Sequence, residues 1–452
     1  MYDFDVIVIG AGPAGYEVAS LLGKAGKNVC IVEKAESSVG GTCLNEGCVP
    51  AKNFLETASY IKKEAYFQSC GVNHTERTFN ISTLQKSTNC LIQDLKVGIF
   101  GKLKKAKATI EYDRATFIDS HTIKLENQNK KITAKDIVIA SGSSHRDHPL
   151  LKLEDETIIS SREVFKLTDI PKSILIIGGG AIGCEFASFF NALGSEVEIS
   201  EFASKLVPNE DDDISRTLKR EFEKKGIQIG LNANVTDYSV SEDGVELTIE
   251  SGKKVETKTF DKVLVSIGRI PNSANLNLEN ANIEQDRGFI EVNENLQCLN
   301  NDNIYAIGDV LKTPALAHVA YYEAKRVAQH ILEKETFVGD YIFPSVTFCT
   351  PQIASIGKSE KALKERGIKF KNKKLFFKTN AKAKIKGDDS GFIKVLYDEE
   401  TSLVLGASII GNDATELIHQ FLIAINANLG LNDLEKMIFA HPTLSESSLD
   451  LI

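Results

Sequence analysis

The sequence predicts an α/β protein in which one strand–turn–helix–strand unit occurs twice and an α+β domain follows. Three observations carry this reading. Gly10-Ala11-Gly12-Pro13-Ala14-Gly15 follows the apolar run Val6–Ile9, and Gly178-Gly179-Gly180-Ala181-Ile182-Gly183 follows the run Ser173–Ile177. From about Pro344 the composition then changes. Short apolar runs rich in β-branched residues read as buried parallel strands.

Each glycine turn opens a helical stretch, the first ending near Gly26 and the second near Gly194. A second strand follows in each copy, Val29–Val32 closed by Glu33 and Glu196–Ser200 closed by Glu201. The acid falls 18 residues past the last glycine both times (33 − 15 and 201 − 183). One glycine fingerprint is weak evidence; two in matched contexts are strong. Their physics is specific to dinucleotides. Gly10 and Gly178 make the tight turn, Gly12 and Gly180 let the backbone approach a pyrophosphate, and Gly15 and Gly183 bring helix against strand. The helix N-terminus offers its dipole to the phosphates, and Glu33 and Glu201 can accept from a ribose. A carboxylate at Glu201 repels a 2′-phosphate, so the second site should prefer NAD(H) to NADP(H). Both units are therefore expected to be Rossmann-like.

Asn303–Ile307 reads as a further strand ending in Gly308-Asp309, suggesting that the first domain resumes there with Asp309 on its cofactor. The expected divisions are 1–145 with 268–337, then 146–267, then 338–452. In the last, the segments around Val346, Phe348, Ile353 and Ile356, then Phe392–Tyr397 and Leu403–Ile410, read as strands, and Ala414–Leu429 as a helix. Its lysines between Lys371 and Lys386 read as a solvated face.

Thirteen residues, Gly40 to Lys52, carry the chemistry. Cys43 and Cys48 lie five positions apart, a spacing a regular helix would hold at roughly 8 to 9 Å. A disulfide tolerates at most about 7 Å between alpha carbons. A distorted turn or loosely wound helix start is expected, with Gly40, Gly41 and Gly47 supplying the freedom. So small a loop contributes little chain-entropy stabilisation and suits redox chemistry better than stapling. A base near neutral pH must accompany a dithiol, because the thiolate is the nucleophile. His441, with Glu446 five residues on to fix its tautomer, supplies one.

The 452 residues carry a net charge of −9, which argues against nucleic acid or an anionic membrane as main partner. No apolar run is long enough to span a bilayer, and the opening residues lack a basic leader, so a cytoplasmic address is expected. The other six cysteines (Cys30, Cys70, Cys90, Cys184, Cys298, Cys349) are scattered and read as thiols in or near cores. No metal site is expected.

With these motifs assembled, the chain resembles the flavin-dependent pyridine nucleotide–disulfide oxidoreductases over essentially its full length. The resemblance implies a homodimer with FAD in the first domain, NAD in the second and a C-terminal interface domain. It implies that Cys43 is the interchange thiol and Cys48 the charge-transfer thiol. His441 from the partner subunit would be the base, oriented by Glu446, and the His441–Pro442 bond would be cis. Lys52 would lie near the flavin and pair with Glu185, while Gly142, Asp309 and the backbone near Ala317 would hold FAD and Gly268 would join the NAD set. The implied reaction oxidises dihydrolipoyl groups of a separate carrier protein, from a 2-oxo acid dehydrogenase complex or a glycine cleavage system, and reduces NAD+. Glu46, Ala51 and Ala181 depart from the family pattern without removing a reacting group. A glutathione reductase-like enzyme is the alternative, but Glu201-Phe202-Ala203-Ser204 offers no arginine for NADPH. A flavin redox sensor that does not turn over would have no need of the histidine and its acid.

Overall fold

The computed structural model describes residues 1–73, 78–153, 156–334 and 341–451. Two compact units divide the chain. One comprises Met1–Ala51, Ser82–Arg146 and Arg269–Asp340; the other comprises Lys52–Ile81, Asp147–Gly268 and Tyr341–Ile452. The division expected between 337 and 338 lies outside the described residues.

The first unit is built on a seven-stranded sheet. Its parallel part runs in the order Thr109–Tyr112, Val29–Glu33, Phe4–Ile9, Lys130–Ile139, and Ile304–Ala306 pairs in parallel with residues 137–139. Thr122–Leu125 and Ala115–Asp119 extend it antiparallel. Val6, Ile7 and Val8 are fully buried in succession, with no alternation. A strand of that kind needs cover on both faces. Helices Pro13–Lys24 and Ala317–Glu333, packed along each other, supply part of it. The pairing of Ile304–Ala306 also brings Asp309, three residues on, to this sheet.

The second unit holds a five-stranded parallel sheet in the order Gln228–Leu231, Glu196–Glu201, Ser173–Ile177, Lys262–Val265, Ile158–Ser160. A three-stranded antiparallel meander, Ala233–Ser241, Gly244–Ser251 and Lys254–Phe260, shares a core with it through Leu175, Leu247 and Val263. Residues from 345 onward form an antiparallel sheet in the order Ser345–Thr347, Gln352–Gly357, Val404–Gly411, Phe392–Asp398, Phe370–Phe376. It has an apolar core of its own around Ile393, Ile409 and Phe421.

Four local differences from the sequence reading stand out. Phe348 follows its strand instead of belonging to it. The helix read across Ala414–Leu429 is two helices, Ala414–Leu417 and His419–Asn426, and stops because Asn428 turns left-handed at φ 52° while the Leu429 amide bonds back to Ala424 O at 2.8 Å. Cys70 and Cys90 are exposed, not in cores. Among the basic residues, Lys374 is no solvated side chain: it pairs with Asp213 at 2.6 Å and lies 4.2 Å from the Phe392 ring centroid.

That last contact belongs to a buried ionic cluster. Lys394, only 1% exposed, reaches Asp211 at 2.7 Å, Asp213 at 2.8 Å and Glu360 at 3.1 Å. Burial alone would pull its ammonium pKa down, but Asp211 and Asp213 outweigh that and hold it above the ordinary lysine value. Burial pushes Asp213 the other way, and Lys374 and Lys394 bring it below the usual carboxylate range. Breaking one partner would leave a buried charge uncompensated.

Among the described residues no helix is long and apolar enough to cross a membrane.

Candidate active site

The two glycine turns share their backbone geometry at the first and last glycines. Gly10 has φ 101° and Gly178 φ 105°, a region costly for any residue with a Cβ. A Cβ on Gly15 would stand 1.9 Å from Gly10 O, and one on Gly183 would stand 1.9 Å from Gly178 O. The helices behind them have no side-chain N-cap, so their first-turn amides are left for an anion. Open space faces Gly180, Gly142 and Gly268, the last two at φ 71° and 115°.

Each closing carboxylate ties its own turn. Glu33 Oε2 accepts from the Ala11 amide at 2.7 Å and Oε1 from the Lys34 amide at 3.0 Å. Glu201 Oε2 accepts from the Gly179 amide at 2.5 Å and Oε1 from the Ala203 amide at 2.6 Å. Burial raises the Glu33 carboxyl pKa above its ordinary value, although both amide bonds oppose the rise. Buried hydroxyls of Ser141 and Thr313 in the first unit, and of Ser200 in the second, have no hydrogen-bond partner among the described residues. Open glycine cradles, uncapped helix ends and orphaned hydroxyls fit a dinucleotide in both places.

Asp309 is gripped from two sides. Its Oδ2 accepts from Ser143 Oγ at 2.6 Å and lies 3.7 Å from Arg269 Nε. Arg269 also donates to Ser143 Oγ at 2.7 Å and to Ser143 O at 2.5 Å. The Gly308 amide donates to buried Glu323 at 2.6 Å, and Ala317 starts the next helix. Sequence reasoning missed Ser143, Arg269 and Glu323; the run Gly268-Arg269-Ile270-Pro271-Asn272 at a strand end was the available signal.

The thiol segment is two helices with a break. Gly40 and Gly41, at φ 95° and 66°, lead into the short helix Gly41–Glu46, which carries Cys43. Gly47, at φ −143° and ψ −113°, interrupts it, and Cys48 opens the long helix Cys48–Ser69. Asn45 staples the short helix, its Nδ2 donating to Gly41 O at 2.8 Å and to Val39 O at 3.1 Å. Cys43 is half-buried and Cys48 exposed.

Within the second unit, Lys52 Nζ donates to both oxygens of Glu185, at 3.0 and 2.9 Å, and lies 4.6 Å from the Phe348 ring centroid. Glu185 Oε1 also accepts the Phe348 amide at 2.9 Å. Phe54 packs on Phe165 and Phe189 below them.

His441 lies 2.9 Å from Glu446, Nδ1 to Oε2, and its side chain is 74% exposed. The other carboxylate oxygen takes the Thr443 amide at 3.3 Å, while Thr443 Oγ1 accepts the Glu446 amide at 3.2 Å. The His441–Pro442 bond is cis. The acid is thus fixed by backbone, the ring is fixed by the acid, and Nε2 is left for an incoming group.

Family models match along most of the chain: pyridine nucleotide-disulphide oxidoreductase over residues 4–324 and the dimerisation domain of the same family over residues 343–451. The chain is 34% identical to a dihydrolipoyl dehydrogenase of Haemophilus influenzae, covering 98% of this chain and 93% of that one. It is 35% identical to one of Chlamydia trachomatis, covering 98% and 95%. The HOCl-induced flavoprotein disulfide reductase RclA from Escherichia coli superposes with a TM-score of 0.89 at 28% identity over 99% of both chains. Enzymes of this kind work with FAD and NAD(H), and the dimerisation domain supports a homodimer. Matched over both parts of its length, the chain belongs to the pyridine nucleotide-disulphide oxidoreductase family.

Proposed function

We propose that the chain oxidises protein-bound dihydrolipoyl groups to lipoyl with NAD+ as electron acceptor, as a dihydrolipoyl dehydrogenase. The observation that carries this is the His441–Glu446 pair, an exposed imidazole with its tautomer set, in a chain that also carries Cys43 and Cys48. FAD would be held by Gly10, Gly12, Gly15, Glu33, Gly142, Asp309 and Ala317, and NAD by Gly178, Gly180, Gly183, Glu201 and Gly268; when bound they supply a two-electron carrier and a hydride acceptor.

The chain's own groups handle sulfur and protons. Glu446 holds a proton on Nδ1 of His441, leaving the Nε2 lone pair to take one from a substrate thiol. The substrate thiolate attacks Sγ of Cys43 in the Cys43–Cys48 disulfide; a substrate–Cys43 bond forms, and the electron pair of the broken bond stays on Cys48. The N-terminal end of the Cys48–Ser69 helix favours that negative charge. The second substrate thiol then displaces Cys43, closing the cyclic lipoyl disulfide and leaving both protein sulfurs reduced. We assign His441 to the partner subunit's site and Lys52, steadied by Glu185, to the flavin side of the relay. The carrier is a separate lipoyl-bearing protein of a 2-oxo acid dehydrogenase complex or glycine cleavage system, and the reading places the enzyme in the cytoplasm.

The test is NADH formation from dihydrolipoamide, run beside glutathione disulfide with NADPH. Turnover of the first pair alone supports the reading; turnover of the second alone overturns it.

A further inference from the structure

Gly179 lies between Gly178 and Gly180 in the second glycine turn, and both polar groups of its backbone are taken. Its amide donates to Glu201 Oε2, and its carbonyl accepts from the Val207 amide at 2.8 Å and from Cys184 Sγ at 3.3 Å. The carbonyl of a trans peptide and the N–H that follows it point in opposite directions. Holding Gly179 O towards Val207 therefore turns the Gly180 N–H the other way. That amide has no hydrogen-bond partner among the described residues, and open space faces the residue. It stands just ahead of the uncapped amides of Ala181–Ala192.

Val207 keeps its donor in place under strain. It is buried and left-handed, at φ 41°, a conformation that a β-branched side chain opposes. Such strain persists only where the surroundings over-determine it. On one side Leu206 packs so closely on the turn that a Cβ on Gly179 would stand 2.5 Å from Leu206 Cδ2. On the other, the Glu210 amide bonds to Val207 O at 2.9 Å and Lys205 Nζ donates to Glu210 O at 2.6 Å. The Glu210 carboxyl in turn accepts from Ser355 Oγ at 3.1 Å. The first unit makes the same bond without the conflict: the Gly40 amide donates to Ala11 O at 2.8 Å, from a glycine at φ 95°. Ala11 and Gly179 hold matching places, one after Gly10 and one after Gly178. A bond made in both halves, and kept in the second despite a strained backbone, serves the turn and not the loop that supplies it.

We propose that Val207 is a positioning residue of the second nucleotide site: its amide fixes the Gly179–Gly180 peptide so that the Gly180 N–H faces the pyrophosphate of NAD(H). The inference rests on the second turn being the NAD(H) site, as proposed above. A peptide locked before the ligand arrives does not have to be ordered by it.

The test compares ADP-ribose, which carries the pyrophosphate, with adenosine, which does not. Their dissociation constants for the oxidised holoenzyme are read from competition with NADH in reducing the flavin. Val207→Pro has no N–H to give. Its ADP-ribose constant should rise at least about tenfold, the scale of one hydrogen bond to a charged group, while that of adenosine stays the same. Val207→Gly keeps the donor and loses only the stiffness around it, so the rise should be about two- to fivefold. An ADP-ribose constant unmoved by Val207→Pro overturns the proposal. An equal rise for adenosine overturns it too, because the whole site would then be disturbed. Should Val207→Pro fail to fold, the α-hydroxy acid analogue of valine at position 207, an ester in place of the amide, decides by the same criteria. Loss of flavin with ADP-ribose binding intact refutes the assignment of the turn to NAD(H), and this inference with it. Dihydrolipoamide turnover is not part of the readout. An enzyme that shows these shifts yet does not oxidise dihydrolipoamide refutes the function and leaves this inference standing.

Discussion

Glu185 grips Lys52 with both carboxylate oxygens and keeps one of them for the Phe348 amide, so a single side chain fixes an ammonium group and a loop. Glu185→Ala removes three hydrogen bonds at once and leaves the amide without its acceptor. We expect a loss of about 1–3 kcal/mol in stability, read as a lower thermal midpoint of the holoenzyme. An unchanged midpoint would show that the loop is held by something else.

His441→Gln removes the lone pair at Nε2 that takes the substrate proton. Dihydrolipoamide oxidation should fall by about 10²–10⁴-fold, the usual share of a general base. Glu446→Gln, which leaves the ring in place but no longer stabilises the imidazolium, should cost less. Steady-state rates in the dihydrolipoamide direction decide both, and a near-normal rate for His441→Gln would remove the base assignment.

Cys48→Ser should abolish lipoamide turnover while NADH still bleaches the flavin in a stopped-flow trace. Full lipoamide activity in that variant would refute the thiol relay.

Gly183→Ala places a methyl 1.9 Å from Gly178 O, which no rotamer can relieve. Affinity for NAD(H) should drop at least about tenfold, an energy of about 1.4 kcal/mol or more, while flavin content stays the same. Titration of the flavin absorbance with NADH measures both. Loss of flavin instead would mean that the two glycine turns have been assigned to the wrong cofactors.

Glu210 gives a pH prediction. It is 8% exposed, accepts from Ser355 Oγ at 3.1 Å, and burial, with Asp211 adding to it, pushes its carboxyl up to about 7 from 4.5. A carboxyl whose folded value exceeds its unfolded one binds an extra proton on folding between the two. Stability therefore falls as pH rises from about 4.5 to about 7, and the penalty is complete above that. Glu210→Gln carries no such charge. Its thermal midpoint should lose that pH dependence across the window and exceed wild type at pH 8, by up to about 3 kcal/mol in stability. Parallel curves for the two proteins would show that Glu210 titrates normally.

Both nucleotide units and the thiol segment were legible because their chemistry is local. A glycine that must have positive φ, or must let a carbonyl within contact of its Cα, leaves its mark in a few consecutive letters. One length comparison called for a distorted turn or a loosely wound helix start between the cysteines, and the structure has a break between two helices at Gly47. His441 and Glu446 were found for the same reason, five residues apart on one turn. What the sequence hid is held by residues far apart in the chain. Ser143 and Arg269 close on Asp309, and Glu323 on the Gly308 amide, from distant segments. Lys374 looked like one more lysine in a basic run, yet it pairs with Asp213, and Lys394, unmarked within its strand, is buried among three carboxylates contributed by other elements. Lone charges of that kind have no periodic signature. Their meaning comes only from what folds against them.

Glu33 and Glu201 each spend an oxygen locking the peptide that would receive phosphate, so the receptacles are assembled before any guest arrives. The ordering cost is met when the chain folds and not again at each encounter. A polypeptide stripped of its coenzymes should therefore keep the shape of both grooves and regain colour on simple mixing with FAD, without passing through denaturant.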